Sequence, residues 1–60
     1  MEYKLTNFCK YDYYVDIKRL SDNKVIIQDT VECALIWIKN NSPNDYTAAE
    51  EYIKSFESKR

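Results

Sequence analysis

Chemistry in this 60-residue chain has few starting points: two cysteines, ten carboxylates and nine aromatic rings. Cys9 and Cys33 stand 24 positions apart, and the chain has no histidine. A thiol becomes a nucleophile when a nearby base or positive charge draws off its proton, and no imidazole exists to do so. A zinc ion needs about four Cys, His or carboxylate ligands, usually with two of them closely spaced, and that spacing is missing. The residues therefore predict no catalytic thiol, no metal and no other cofactor. A Cys9–Cys33 disulfide stays open on the sequence, although thiols remain reduced in the cytosol.

The carboxylates do not form an acid/base pair by spacing. Asp45, Glu50, Glu51 and Glu57 gather in and before the last helical stretch. Early acids there favour the positive end of a helix and later ones form a solvated face. The absence of glycine excludes phosphate-cradling loops, dinucleotide fingerprints and nucleophile elbows. The expectation is a non-enzymatic protein with no small-molecule substrate.

The aromatic residues carry more. Tyr11, Tyr13 and Tyr14 open a strand, where rings stack single-stranded bases or anchor protein contacts. Net charge is −1 and the isoelectric point near 5.2, so the basic field that supplies most nucleic-acid affinity is missing. Nucleic acid is disfavoured, though a single-stranded nucleic-acid regulator stands as the alternative. Tyr13 reads as core, and Tyr11 and Tyr14 as surface residues available to a protein. The strongest interface candidate is Trp37, with Ile36 and Cys33 beside it on a helix that is apolar nearly all round; the plain alternative is that a second helix covers them.

Four elements, or five with an edge strand, must position these residues. Tyr13, Val15 and Ile17 alternate with Tyr14, Asp16 and Lys18, the period of a half-buried strand. Lys24–Gln28 forms a second β-rich run after the turn cluster Leu20–Lys24. A three-residue loop with Asn23 in the left-handed region sets Ile17 opposite Ile27 and Arg19 opposite Val25, gathering Tyr13, Val15, Ile17, Val25 and Ile27 on one face. Tyr3 and Leu5 suggest a further edge strand before a turn around residues 9–12. Asp29 with Glu32 reads as a capping box for a helix from about Thr30 to Lys39 or Asn40. Its core stripe is Val31, Ala34, Leu35 and Ile38. A last helix starts either at Ser42-Pro43 or at Thr47 and runs to about Ser58, with Tyr46, Ala49, Ile53 and Phe56 along one face and Tyr52 beside them.

The class is α+β: an antiparallel hairpin or three-stranded meander followed by two helices packed on one face, as a single domain over residues 1–60. A hydrophobic share of 45% supports a fold, while the length makes its stability marginal and favours a homodimer. No run approaches the roughly 18 apolar residues of a membrane span, and the N-terminus lacks the apolar run of a signal peptide, so a cytoplasmic location is expected. Lys, Asn, Ile, Tyr, Phe and Met make 27 residues against six of Gly, Ala, Arg and Pro, a usage that follows AT-rich codons. Size and codon bias together suggest a phage or mobile-element protein that binds a host factor, of the inhibitor or anti-defence type; a self-assembling structural subunit is a further alternative.

Overall fold

The computed structural model describes residues 1–57. Three strands, β1 (Tyr3–Cys9), β2 (Tyr14–Arg19) and β3 (Lys24–Thr30), form an antiparallel sheet in the order β1-β2-β3. Helix α1 (Val31–Asn41) follows β3 with no intervening loop, and a 3-10 turn (Pro43–Asp45) leads into helix α2 (Tyr46–Glu57). The expected edge strand at Tyr3 and Leu5 is therefore present, and the architecture is the three-stranded meander with two helices.

One face of the sheet is apolar because side chains alternate along each strand. Leu5, Ile17 and Ile27 lie abreast across the three strands. Val15 and Ile17 on the central strand are fully buried, and Val31, Ala34 and Ile38 of α1 with Ala49 and Ile53 of α2 close the core over them. Leu35, the fourth member of the expected α1 stripe, is only partly buried. Fully burying an aliphatic side chain of this size is worth about 1.5–3 kcal/mol, so this small cluster supplies much of the drive to fold.

The register of the second hairpin corrects the sequence expectation. Ile17 does face Ile27, but Lys18 faces Val25 and Arg19 faces Lys24 across a four-residue loop, Leu20–Asn23. Ile26 is the unpaired extra residue of a bulge, and this lets Ile26 and Ile27 both pack against the core where a regular strand would admit one of them. Val25 is turned away and 42% exposed. Asn23 takes the left-handed conformation (φ 59°), as expected. Arg19 closes the loop with a two-pronged contact to Asp22, Nε to Oδ1 at 3.0 Å and a terminal guanidinium nitrogen to Oδ2 at 2.7 Å.

Tyr13 is also corrected. It belongs to the β1–β2 turn, has φ 55° and is half-exposed, and its carbonyl accepts the Val31 amide at 2.9 Å. A bulky side chain is costly in this region. Its ring is held edge-on to Phe8 (5.8 Å), and its hydroxyl donates to Glu57 Oε2 at 2.8 Å, which holds the phenol above its ordinary pKa. Asn7 (φ 55°) sits at a second bulge, where Thr6 pairs with Asp16 and Cys9 with Tyr14; it donates from Nδ2 to Asp16 Oδ2 at 2.9 Å.

Helix α1 is capped by Thr30, one residue later than expected, because β3 stays paired to Tyr14 through Thr30. Thr30 Oγ1 accepts the Cys33 amide at 3.3 Å, and Asp29 Oδ1 instead accepts the Thr30 amide at 2.7 Å. At the other end Asn41 Nδ2 donates to the Trp37 carbonyl and the Ser42 amide to the Ile38 carbonyl. Pro43 occupies the first position of the 3-10 turn, where its missing N–H costs nothing. Thr47 lies inside α2 rather than capping it, and the expected end at Ser58 falls outside the described residues.

Asp45 fastens the two ends of the chain together. Its carboxylate is buried, and Oδ2 accepts the amides of Glu2 (2.9 Å) and Tyr3 (3.0 Å) and the hydroxyl of Ser42 (2.8 Å). Burial opposes the charge, but the Glu2 amide, the Ser42 hydroxyl, the Tyr3 amide and the N-terminal ammonium prevail and hold this carboxyl below the usual carboxylate range.

Two outcomes follow from these placements. Asn23→Gly should be neutral or stabilising by a few tenths of a kcal/mol, and Asn23→Val should cost about 1 kcal/mol or more, read from urea midpoints. Asp45→Asn should cost about 1–3 kcal/mol at neutral pH. Because the folded pKa of Asp45 is depressed, its contribution is complete above the unfolded value and lost as pH falls through the folded one. The gap between wild type and Asp45→Asn should stay constant above about pH 5 and shrink below about pH 4.

Candidate interaction surface

Helix α1 has two apolar sides, and the sheet uses only one. Val31, Ala34 and Ile38 point into the core, which directs Ile36, roughly half a turn round, to solvent at 60% exposure. Glu32, Leu35, Ile36 and Lys39 follow the spacing i, i+3, i+4, i+7 and so form one stripe along the outer side. These four and Tyr46, at the start of α2, line a shallow depression. Tyr46 is partly buried against the core, and Lys39 Nζ lies 5.7 Å from its ring centroid.

The five residues expected at an interface are not gathered into one patch. Trp37 is half-buried against the core and meets Tyr3 edge-on, with ring centroids 5.0 Å apart and planes at 85°. This contact makes Trp37 a support for the β1 end of the fold rather than the centre of an exposed patch. Cys33 is exposed in the first turn of α1, on the flank away from Leu35. Tyr14 is 44% exposed between Cys9 and Thr30, on the sheet face opposite the helices, since Val15 beside it points inward. Tyr11 is 99% exposed in the β1–β2 turn. Only Ile36, with Cys33 and Trp37 at its flank, belongs to the outer side of α1.

Periodicity places Leu35 on the core stripe of α1 and Tyr46 on one face of the last helix, and both prove to be shared between core and outer surface. The signal available was the second stripe on the same helix, offset from the first and bounded by Glu32 and Lys39. Sequence spacing alone ranks neither stripe, because both are apolar in the middle.

The remaining chemical groups are dispersed. Cys9 is partly buried, Cys33 is exposed, and both are free thiols. Among the described residues no three His, Cys, Asp or Glu side chains come together as a metal-holding group, and no helix is long and apolar enough to cross a membrane. The open sheet face sets Lys4 directly opposite Lys18, with Asp16 bound to Asn7 one position along. Of the three clustered tyrosines that would stack bases in the alternative reading, Tyr13 is engaged by Phe8 and Glu57.

Trp37 and Ile36 should separate in a stability measurement. Trp37→Ala removes a ring packed on Tyr3 and should cost about 2 kcal/mol or more, whereas Ile36→Ala should stay within about 0.5 kcal/mol in the same urea titration. Compared with known proteins, the chain matches no family model, no curated protein and no solved structure.

Proposed function

We propose that this chain is a non-enzymatic module that acts by binding another protein, and that it does so through the outer side of α1. The observation that carries this reading is Ile36, 60% exposed in the middle of an 11-residue helix with Leu35 and Tyr46 alongside. An aliphatic side chain in that position adds nothing to the core, and apolar surface rimmed by charges is the usual mark of an interaction site. Glu32 and Lys39 supply that rim.

The reading extends to a phage or mobile-element product that binds a host factor as an inhibitor, including the anti-defence type. Its support is the AT-rich residue usage, in which Lys, Asn, Ile, Tyr, Phe and Met predominate.

Photo-crosslinking tests the surface directly. Benzoylphenylalanine placed at position 36 should give covalent adducts with protein in cells expressing the chain, and the same probe at position 18, on the open sheet face, should not. Adducts absent at position 36, or equal at both positions, would remove the proposal. Adducts to RNA or single-stranded DNA from position 18 would favour the nucleic-acid alternative instead.

A further inference from the structure

The outer stripe of α1 has an internal symmetry. Along the helix the order is Glu32, Leu35, Ile36, Lys39: one acid, two aliphatic residues, one base. A two-fold axis perpendicular to the helix and passing between Leu35 and Ile36 turns this order into its own complement. Residues of the two copies that lie level along the seam have numbers that sum to 71, so Glu32 falls opposite the partner's Lys39, and the aliphatic pair Leu35 and Ile36 is level with the same pair of the partner. The match holds around the helix as well as along it. At 100° per residue Leu35 and Ile36 lie on opposite sides of the stripe's midline, so across the axis each meets its own copy, and Glu32 and Lys39 lie close to the midline, where they meet each other.

Glu32 and Lys39 are available for such pairing. The only salt bridge among the described residues is Arg19–Asp22. Within one helix Glu32 and Lys39 are seven residues, or about 10 Å, apart along the axis, too far to pair with each other. Resting on the reading that the outer side of α1 binds protein, we infer that in the absence of another partner its occupant is a second copy of this chain, packed antiparallel through α1 about a two-fold axis between Leu35 and Ile36.

Two ion pairs and a four-residue aliphatic centre result, since an isologous interface makes every contact twice. Tyr46 extends the apolar centre on the Leu35 side. The seam is short, because an 11-residue helix is about 16 Å long, and interfaces below about 1,200 Å² are weak. The dimer therefore forms with a dissociation constant on the order of 10–100 µM, and the terminal ion pairs make it tighter at low salt. Trp37, seated on Tyr3, lies at the edge of this seam and not on its axis.

Charge reversal tests the symmetry. By sedimentation equilibrium at low salt, the wild-type chain should move from 7.2 kDa toward twice that mass as its concentration rises through the micromolar range. Glu32→Lys and Lys39→Glu should each weaken association about three- to tenfold, because each places like charges together at both ends of the seam. The double variant Glu32→Lys/Lys39→Glu should return to within about twofold of wild type, a recovery that unfolding or a lost structural role cannot produce. Ile36→Lys, which keeps a favourable i, i+4 pairing with Glu32 within its own helix, should leave a folded monomer by circular dichroism. A wild-type chain that stays at 7.2 kDa to about 500 µM, or a double variant no better than the singles, overturns the dimer. Crosslinks from position 36 keep the two levels apart: adducts only with other proteins remove the dimer and leave protein binding standing, whereas no protein adducts remove both.

Discussion

The carboxylate of Asp45 decides where the edge strand goes. The amides of Glu2 and Tyr3, at the beginning of β1, and the hydroxyl of Ser42, just past α1, all converge on one buried oxygen. Strand pairing alone sets β1 beside β2, but it does not fix how the free end of β1 meets the helices. Asp45 does this from the turn between them. With β1 held there, Leu5 lies over Ile17 and the Tyr3 ring reaches Trp37 on α1. A single ionised group thus links the first strand, the helix connection and the aromatic contact. A buried charge persists only when its hydrogen bonds outweigh desolvation, and three charge-assisted bonds converge here.

A second set of constraints comes from building turns without glycine. Three residues take positive φ, and each is steadied by a different device. Asn7 holds Asp16 across the strands, and Asn23 ends a loop that Arg19 and Asp22 clamp. Tyr13 is wedged between Phe8 and Glu57. Asn tolerates the left-handed region well and Tyr poorly, so the β1–β2 turn carries most of the local strain. That strain is offset by the aromatic cluster in which Phe8 also packs on Phe56 (4.8 Å) and its amide bonds the Tyr52 hydroxyl (3.2 Å). Both aromatic groupings are therefore structural: one closes each end of the sheet onto the helices. The apolar surface exposed on the outer side of α1 is aliphatic, with Ile36 at its middle.

Helix α1 illustrates how one short segment serves the fold and a surface together. Val31, Ala34 and Ile38 satisfy the core, and the remaining circumference carries Leu35, Ile36 and Trp37, of which the rest of the chain covers Leu35 and Trp37 in part and Ile36 least. In a domain of this size a second helix covers only one flank of the first, so an apolar residue facing directly away from the sheet has nothing within its own chain to meet.

Sequence periodicity by itself determined the features that depend on near neighbours. The alternation around Val15 and Ile17, the stripe Val31, Ala34, Ile38, the break at Ser42-Pro43 and the left-handed Asn23 are all local consequences of side-chain spacing and backbone sterics, and so is the α+β class. Of the candidate surface, Ile36 was legible because it falls off the core stripe on a helix that is apolar nearly all round. What only the tertiary structure decided are the contacts between residues far apart in the chain. Asp45 looked like one more helix-terminal acid until the chain brought the amides of residues 2 and 3 to it across more than 40 positions. Trp37 looked like an interface anchor until Tyr3 came to lie against it. The bulge at Ile26 likewise arises because two isoleucines gain burial together, an advantage set by the helix side of the core and absent from the spacing of β3 itself. Periodicity records which side of an element is apolar; whether another part of the chain arrives to cover that side depends on packing, which no local pattern encodes.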